Sequence, residues 1–413
     1  MRRRLVFVLA VLGVVLVFAG TATAGRISGR YIVVLKPGVN PRAEARHAGA
    51  EIFYTYRSAI NGYAARLSPA ALARARADSR VLLVSPDRTV HAVAQTLPTG
   101  VNRIEGDVSS AASGNGAGSV NVPVAVIDTG IDLSHPDLNV VGGRNCSTGR
   151  SYNDGNGHGS HVAGTIGARE NGIGAVGVAP GTPLYAVRVL NNSGSGSWSS
   201  VICGINWVTA NAAAKGIKVA NMSLGGSGSD GACNADALHQ AICNSVNAGI
   251  TYVVAAGNSG TDFNGFVPAA YDQVLTVTAV ADFNGQPGGG AAATCRSDVD
   301  DTYADFSNFA TSSADAAHTV AAPGVCIYST WKGGGYNTIS GTSMASPHVA
   351  GTAALCIAGP CAGRTPSQVI ATLRGAAAAR PASYGFLGDP YRPVVGGNGK
   401  TRYYGYLAYA GGY

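Results

Sequence analysis

Along residues 122–281, short apolar runs alternate with longer stretches of helical rhythm. VPVAVID, PLYAVRVL, IKVANMSL, ITYVVAAGN and VLTVTAV are apolar nearly throughout, as strands are when both faces of a sheet are covered. Between them lie HVAGTIGA, SWSSVICGINWVTANAAAK and NADALHQAICNSVNAG, the last running into a glycine stop. A Gly-rich loop separates the first strand from the first of these helices. The alternation predicts an α/β domain of three layers, a parallel sheet covered by helices on both faces. Ligands of such sheets bind beyond the carboxyl ends of the strands. Past Thr365-Pro366, SQVIATLRG reads as a further helix with a good start signal.

Residues 30–93 have a different pattern. YIVVLK is a strand, and NPRAEARHAG a short helix with Asn40 as cap and Pro41 in its first turn. EIFYTYRSAINGYAARLS gives two strands with Asn61-Gly62 near the turn. SPAALARARADS is a second helix, capped by Ser68, and VLLVSPDRTV closes with a strand. The order βαββαβ fits a small ferredoxin-like module.

The first residues read as a targeting segment. Arg2, Arg3 and Arg4 precede an apolar run over residues 5–20, and Ala22-Thr23-Ala24 fits a small-x-small cleavage site. That run is 16 residues, short of the ~20 that a spanning helix needs, so a signal peptide removed after Ala24 is expected rather than an anchor. The expected organisation is a signal peptide over 1–24, a small domain over 25–94, a catalytic-sized domain over 95–380 and an extension over 381–413. The extension is Gly-rich, holds seven tyrosines in its last thirty residues, and is expected to pack on the domain before it.

With 46% hydrophobic and 12% charged residues among 413, the chain is globular, and its 58 glycines imply many tight turns. The net charge of +7 is unevenly spread. Residues 1–94 hold 14 Lys and Arg against 4 Asp and Glu, while the remainder holds 15 against 18. The larger part has no basic surplus to hold nucleic acid, and a basic leader would be attracted to it. All eight cysteines lie at 146 or later. In a secreted chain this favours up to four disulfides, with Cys233–Cys243 and Cys356–Cys361 as plausible local pairs among many possible pairings. No C-x-x-C doublet suggests zinc.

Four motifs carry candidate chemistry. Asp128 in VAVIDTGID directly follows an apolar strand, where a carboxylate needs partners; alone it reads as a turn cap. His158 in NGHGSHVAGT opens a helix. His161 follows at i+3, but no carboxylate stands at the spacing zinc proteases use, so one histidine as proton carrier and the other packed for structure is simpler. Ser343 in ISGTSMASPHVAG sits at the mouth of an apolar helix among small side chains, with Pro347 in the first turn. A serine hydroxyl is a weak nucleophile without a base. His158 would take its proton, and Asp128 would hold the other imidazole nitrogen. Asn258, in VVAAGNSG, would donate its amide to an oxyanion, although Asn-Ser-Gly also suits a plain turn.

On DTGID, HGSHVAG and GTSMASPHVAG, over residues 97–377, the chain resembles the subtilases, the subtilisin-like serine proteases, and most closely their proteinase K-like branch. The resemblance implies a subtilisin-like catalytic domain and a triad of Asp128, His158 and Ser343 with Asn258 as oxyanion donor. It implies that Ser223 to Gly226 pair with an extended substrate and that Ser223, Leu224 and Gly225, with Ala255, Ala256 and Gly257, wall the pocket for the residue before the cut. Walls so small lead one to expect a roomy, apolar pocket. Asp137 in HPDL and Asn171 in ENGIGAVGVAP match calcium-binding positions of relatives, and oxygen ligands suit that ion. No cofactor is expected for the chemistry itself. Residues 25–94 resemble an inhibitor-like propeptide, which implies a zymogen cleaving itself between about His91 and Gln95.

The implied function is a secreted, extracellular, monomeric endopeptidase acting on broad polypeptide substrates, with its own propeptide as inhibitor and folding aid and without nucleic-acid or stable membrane partners. Two alternatives stand beside it. A secreted binding protein on the same fold would have lost catalysis, yet all four chemical positions are intact. An aspartic protease would use Asp128-Thr129-Gly130, but it needs a second such triplet, which the sequence lacks, and an all-β fold.

Overall fold

The structure, a computed structural model, describes residues 26–88, 95–397 and 399–413. The expected signal peptide, and all of the expected self-cleavage segment except Gln95, lie outside the described residues. The chain divides into two compact units, Met1–Ala92 and Val93–Tyr413.

In the first unit, strands Arg26–Leu35, Glu51–Tyr56, Gly62–Arg66 and Val81–Arg88 alternate with helices Pro41–His47 and Pro69–Ala77 in the βαββαβ order. The sheet is antiparallel, with Glu51–Tyr56 at one edge and Val81–Arg88 at the other. Both helices start where the sequence signals. Asn40 Oδ1 accepts the N–H groups of Arg42 and Ala43, and Ser68 Oγ accepts that of Ala71, each followed by proline at the first helical position. Val33, Leu35, Tyr63, Ala65 and the helical alanines 45, 71 and 75 form its core.

The second unit is built on an eight-stranded sheet. From one edge the parallel strands run Val140–Asn145, Leu184–Arg188, Val124–Asp128, Val219–Met222, Thr251–Ala255 and Leu275–Ala281. The last also pairs with Thr319–Pro323 in parallel and Thr302–Tyr303 in antiparallel. The central strands are buried along their whole length, and successive residues feed two separate cores. Val124, Val126, Val219 and Val253 point to one face, against Val162, Ile166, Ala345 and Val349 from helices His158–Gly167 and Thr342–Ala358. Ala125, Ile127, Ala220 and Tyr252 point to the other, against Val201, Ile205 and Ile242 from helices Trp198–Lys215 and Ala237–Asn247. This period-two division is what makes three layers. The long helix has the reciprocal cap of Ser197 and Ser200, and helix Pro366–Ala378 that of Thr365 and Gln368.

Val124–Asp128 has Leu184–Arg188 on one side and Val219–Met222 on the other. The chain therefore winds out in both directions from this strand, and Asp128 ends it at the switch point where such sheets bind ligands.

Two elements differ from the sequence reading. The stretch read as a Gly-rich loop contains the edge strand Val140–Asn145, whose sequence VVGGRN is only half-buried and gives no apolar run. A two-stranded hairpin, Ile327–Trp331 with Gly335–Ile339, precedes the serine helix. All eight cysteines pair: Cys146–Cys203, Cys233–Cys243, Cys295–Cys326 and Cys356–Cys361. Near the C-terminus, Tyr403 exchanges backbone bonds with Ala310. Ala321, in turn, donates to Tyr406 O and accepts from Ala408 N–H, while Tyr404, Leu407 and Tyr413 are buried.

Candidate active site

Asp128 is fully buried at the end of its strand. Its Oδ1 accepts Nδ1–H of His158 at 2.7 Å and the N–H of Thr129 at 2.7 Å. His158 is the first residue of its helix, preceded by Gly157 in a left-handed conformation (φ 115°) with no side chain to cap the turn. Asp154 supplies the cap instead. Its carboxylate accepts the N–H groups of Asn156, Gly157 and Ser160 and the hydroxyls of Ser160 and Thr129, all at 2.7–2.9 Å. A carboxylate here answers the positive end of the helix and locks the loop that carries the imidazole.

Burial opposes protonation of His158, but the charge of Asp128, its hydrogen bond and the charge of Asp154 outweigh it, and the pKa is raised above 6.5. His161 has the opposite environment. It is buried, Nε2–H donates to Ile327 O at 2.9 Å, and burial pushes its pKa down to about 3, leaving it neutral and structural.

Ser343 lies in the first turn of Thr342–Ala358, where its N–H has no intrahelical acceptor. Its hydroxyl donates to Ser223 O at 3.3 Å; among the described residues no hydrogen bond joins it to His158. Asn258 is tied to the same turn through one end only. Its Oδ1 accepts both the N–H and the hydroxyl of Thr342, at 2.8 and 2.9 Å. Two donors on one oxygen fix the amide's orientation and leave Nδ2 to face outward from an exposed residue.

Pro347 is the sixth residue of this helix, in its second turn and not its first. A proline there removes the N–H that would bond the carbonyl four residues back, which is Ser343 O. Ser223 Oγ fills that acceptor at 2.8 Å, so the proline is accommodated by a bond from a neighbouring strand end.

A groove of about 810 Å³ runs past these groups, lined by His158, Leu190, Trp198, Ser223, Leu224 and Gly225 among others. Ala255, Ala256 and Gly257 do not line it and are buried. The ring of Phe266 stands against both Gly225 and Gly257.

Asp137 is fully buried. Its Oδ2 accepts Ala175 N–H and the Tyr336 hydroxyl, each at 3.2 Å, and its Oδ1 has no partner. Burial, opposed by these bonds, raises its pKa. Gln95 Nε2–H donates to the carbonyl oxygens of Arg169 and Ala175, and the exposed Asn171 accepts Ile173 N–H through Oδ1 at 3.1 Å. The orphaned carboxylate oxygen and the carbonyl oxygens of Arg169 and Ala175 are donors of the kind a hard divalent cation takes, with the Gln95 amide turned so that Oε1 replaces Nε2–H. Gln95 was missed from sequence, since a lone glutamine after a leader carries no signal. Among the described residues, the cluster Cys233, His239 and Cys243 has metal-like spacing, but its sulfurs are joined in a disulfide and offer no thiolate.

The comparisons agree with this geometry. The model of the Subtilase family matches residues 119–406, and that of Peptidase inhibitor I9 matches residues 30–92. Subtilisin DY of Bacillus licheniformis is 47% identical over 270 residues, 64% of this chain and 85% of that protein. Subtilisin E of Bacillus subtilis (strain 168) is 41% identical over 304 residues, 72% of this chain and 71% of that protein. The crystal structure of a cold adapted subtilisin-like serine proteinase superposes with a TM-score of 0.56 at 32% identity, covering 77% of this chain and 99% of that one. The parallel sheet, the histidine bonded to Asp128 and these relatives leave no place for an aspartic protease. The chain belongs to the subtilase family and is a serine endopeptidase preceded by an I9-type inhibitor domain.

Proposed function

We propose that this protein hydrolyses peptide bonds of broad protein substrates by acyl transfer to Ser343, with His158 as base and then acid and Asp128 as the group that orients it. The observation that carries the reading is the 2.7 Å bond from His158 Nδ1 to the buried Asp128 carboxylate, which leaves Nε2 as the proton acceptor. The Ser343 hydroxyl leaves Ser223 O, passes its proton to Nε2 and attacks the substrate carbonyl carbon. Such contacts tighten only when substrate is bound. The developing oxyanion is received by Asn258 Nδ2–H and the Ser343 N–H, neither of which has another acceptor among the described residues, with the helix dipole behind them. His158 then returns the proton to the leaving amine, and water repeats the sequence on the acyl-enzyme. The strand continuation at Ser223, Leu224 and Gly225, which runs from buried to exposed and lines the groove, pairs with the extended substrate.

The same reading takes residues 1–24 as a secretory signal, 25–94 as a propeptide removed by the enzyme's own cut near residues 91–95, and 95–380 as the catalytic domain with 381–413 packed on it. Four disulfides suit an extracellular protein. Asp137, Asn171 and Gln95, with the carbonyl oxygens of Arg169 and Ala175, would hold a calcium ion that has no part in the chemistry and ties the segment at Gln95 to the loop after the histidine helix. The test is fluorophosphonate labelling of the protein recovered from the culture medium, with N-terminal sequencing. Label on Ser343 and a new N-terminus near Gln95 are expected. Casein hydrolysis or processing that persists in Ser343→Ala overturns the reading.

A further inference from the structure

We infer that Cys233, His239 and Cys243 form a latent zinc site, which opens when a small thiol reduces the disulfide between the two cysteines. None of the three lines the groove, and the inference does not depend on the catalytic reading above.

His239 and Cys243 lie one turn apart on helix Ala237–Asn247, so their side chains share a face. Cys233 reaches them from the loop before that helix. The two sulfurs and an imidazole nitrogen lie within 4.8 Å of one another. The ring is wholly buried and stacks on Tyr271, with centroids 3.9 Å and planes 3° apart. Tyr271 is fixed in turn by its hydroxyl, which donates to Asp236 Oδ2 at 3.0 Å. His239 Nε2 lies 2.5 Å from Gln273 Oε1, with Asp230 Oδ1 3.8 Å away on the same side. An amide oxygen only accepts, so Nε2 carries the hydrogen and Nδ1 of the neutral ring keeps its lone pair. Nδ1 is buried and has no hydrogen-bond partner. A bond from the far nitrogen to an outer acceptor is what sets the tautomer and aim of a ligating imidazole. An orphaned buried nitrogen calls for a cause, and a disulfide has no hydrogen to give it.

Two molecules of a small thiol open the pair. The S–S bond breaks, and Cys233 and Cys243 gain two electrons and two protons to become thiols. The small thiols lose the same and join as their own disulfide. Zinc then takes two thiolates and the Nδ1 lone pair, two protons pass to water, and a water molecule fills the fourth tetrahedral position. This donor set, two soft sulfurs and one imidazole, suits zinc and not the oxygen-seeking cations. Sulfurs on one tetrahedral ion stand ~3.8 Å apart, against ~2.0 Å in a disulfide. Cys233 can retreat by that difference, because the other residues of its loop, 228–236, are all exposed, whereas Cys243 is buried in the helix. The same exposure admits the reductant.

The mature enzyme, inactivated with a fluorophosphonate so that it cannot digest itself, is reduced with a water-soluble phosphine, which gives the same two electrons and leaves no competing thiol. Freed of phosphine under argon, it is titrated with zinc chloride in a calcium-containing buffer. Metal analysis counts the bound zinc, and iodoacetamide with mass spectrometry maps the thiols. The reduced chain should take up zinc that the oxidised chain does not. Zinc should slow alkylation of Cys233 and Cys243 by about tenfold or more and leave the other cysteines unchanged. His239→Asn should abolish this protection, and Gln273→Ala should weaken zinc binding about 10–100-fold, the usual effect of removing an outer partner of a ligating histidine. A reduced chain that takes up no zinc overturns the inference. So does zinc that shields all eight cysteines alike, whether or not the reduced chain keeps its fold. Undiminished protection in His239→Asn or, should that chain not fold, in Gln273→Ala overturns it as well.

Discussion

Ser223 and Ser343 hold each other through two hydrogen bonds of opposite direction. The Ser223 hydroxyl donates to Ser343 O at 2.8 Å, and the Ser343 hydroxyl donates to Ser223 O at 3.3 Å. The first bond occupies the acceptor that Pro347 leaves without a helical partner, so the continuation of strand Val219–Met222 is tied to the first turn of the helix that carries Ser343. Ser223→Ala should leave a carbonyl unpaired at a cost of about 1–3 kcal/mol and lower kcat by roughly tenfold. Pro347→Ala restores the missing N–H. It should be nearly silent alone and recover half or more of the loss in the Ser223→Ala chain, a coupling read from a double-mutant cycle in melting temperature and kcat. Simple additivity would show that the two sites are unrelated.

His158 carries the pH dependence. Its pKa lies above 6.5 because two carboxylates, Asp128 bonded to it and Asp154 at its helix start, outweigh burial. Turnover needs the neutral imidazole, so kcat/KM should fall on the acid side along a limb centred above 6.5. Stability runs the other way: the charged imidazole's increment is present below 6.5, the unfolded value, and is lost as pH rises through the raised folded value. Asp154→Asn removes one of the two charges and should move the acid limb to lower pH, while weakening the helix start by about 1–2 kcal/mol. Asp128→Asn should keep the fold and cut kcat by roughly 10⁴-fold, through the wrong tautomer. pH–rate profiles of the three chains test both statements.

These positions show what one sequence discloses. The helix starts at Asn40, Ser68 and Thr365 are local chemistry, and so are the fully apolar strands; each was legible because its cause lies within a few residues. The placing of Asp128 at a strand end and of His158 and Ser343 at helix starts was legible for the same reason. The contact of Phe266 with Gly225 and Gly257 was not, because the two glycines lie 41 and 9 residues earlier and meet it only in the fold. Asp154 was missed for a related reason. Its loop offers many polar residues, and only the fold shows which of them reaches back to cap the histidine helix. Val140–Asn145 went unseen because an edge strand with two glycines carries no burial pattern.

The calcium site proposed at Asp137 predicts a metal-dependent stability. A bound ion at a hundredfold excess over its Kd adds about 2.7 kcal/mol. Chelation should lower the melting temperature of the fluorophosphonate-inhibited enzyme by several degrees, and added calcium should restore it. In Asp137→Asn the melting temperature should no longer respond to either. Isothermal titration with calcium alone gives the same answer without an activity assay, and a melting curve indifferent to chelator in the natural chain would remove the site.

Far from the groove, Arg103 is wholly buried among carboxylates. Its guanidinium donates through Nε and Nη2 to Asp301 Oδ1 at 2.9 and 2.8 Å, reaches Asp282 Oδ2 at 3.3 Å, and donates to the carbonyls of Tyr384 and Gly385. Asp301 holds the loop after strand Leu275–Ala281 by accepting the N–H groups of Gly288 and Gly289. Burial pushes the Asp282 pKa up to about 7 even with the arginine beside it. The cation is thus what makes an acidic interior tolerable, and it joins that loop to the C-terminal segment at Tyr384. Arg103→Met keeps most of the volume and removes the charge, leaving Asp301 and Asp282 facing each other unpaired. The expected loss is about 3–5 kcal/mol, the usual result of deleting one side of a buried ion pair. The loss should shrink as pH falls below 7 and Asp282 takes up a proton, because a neutral carboxyl no longer needs the partner. Urea melts of the inhibited enzyme at pH 8 and pH 5.5 would measure both effects, and a variant equally destabilised at the two values would show that Arg103 acts by packing alone.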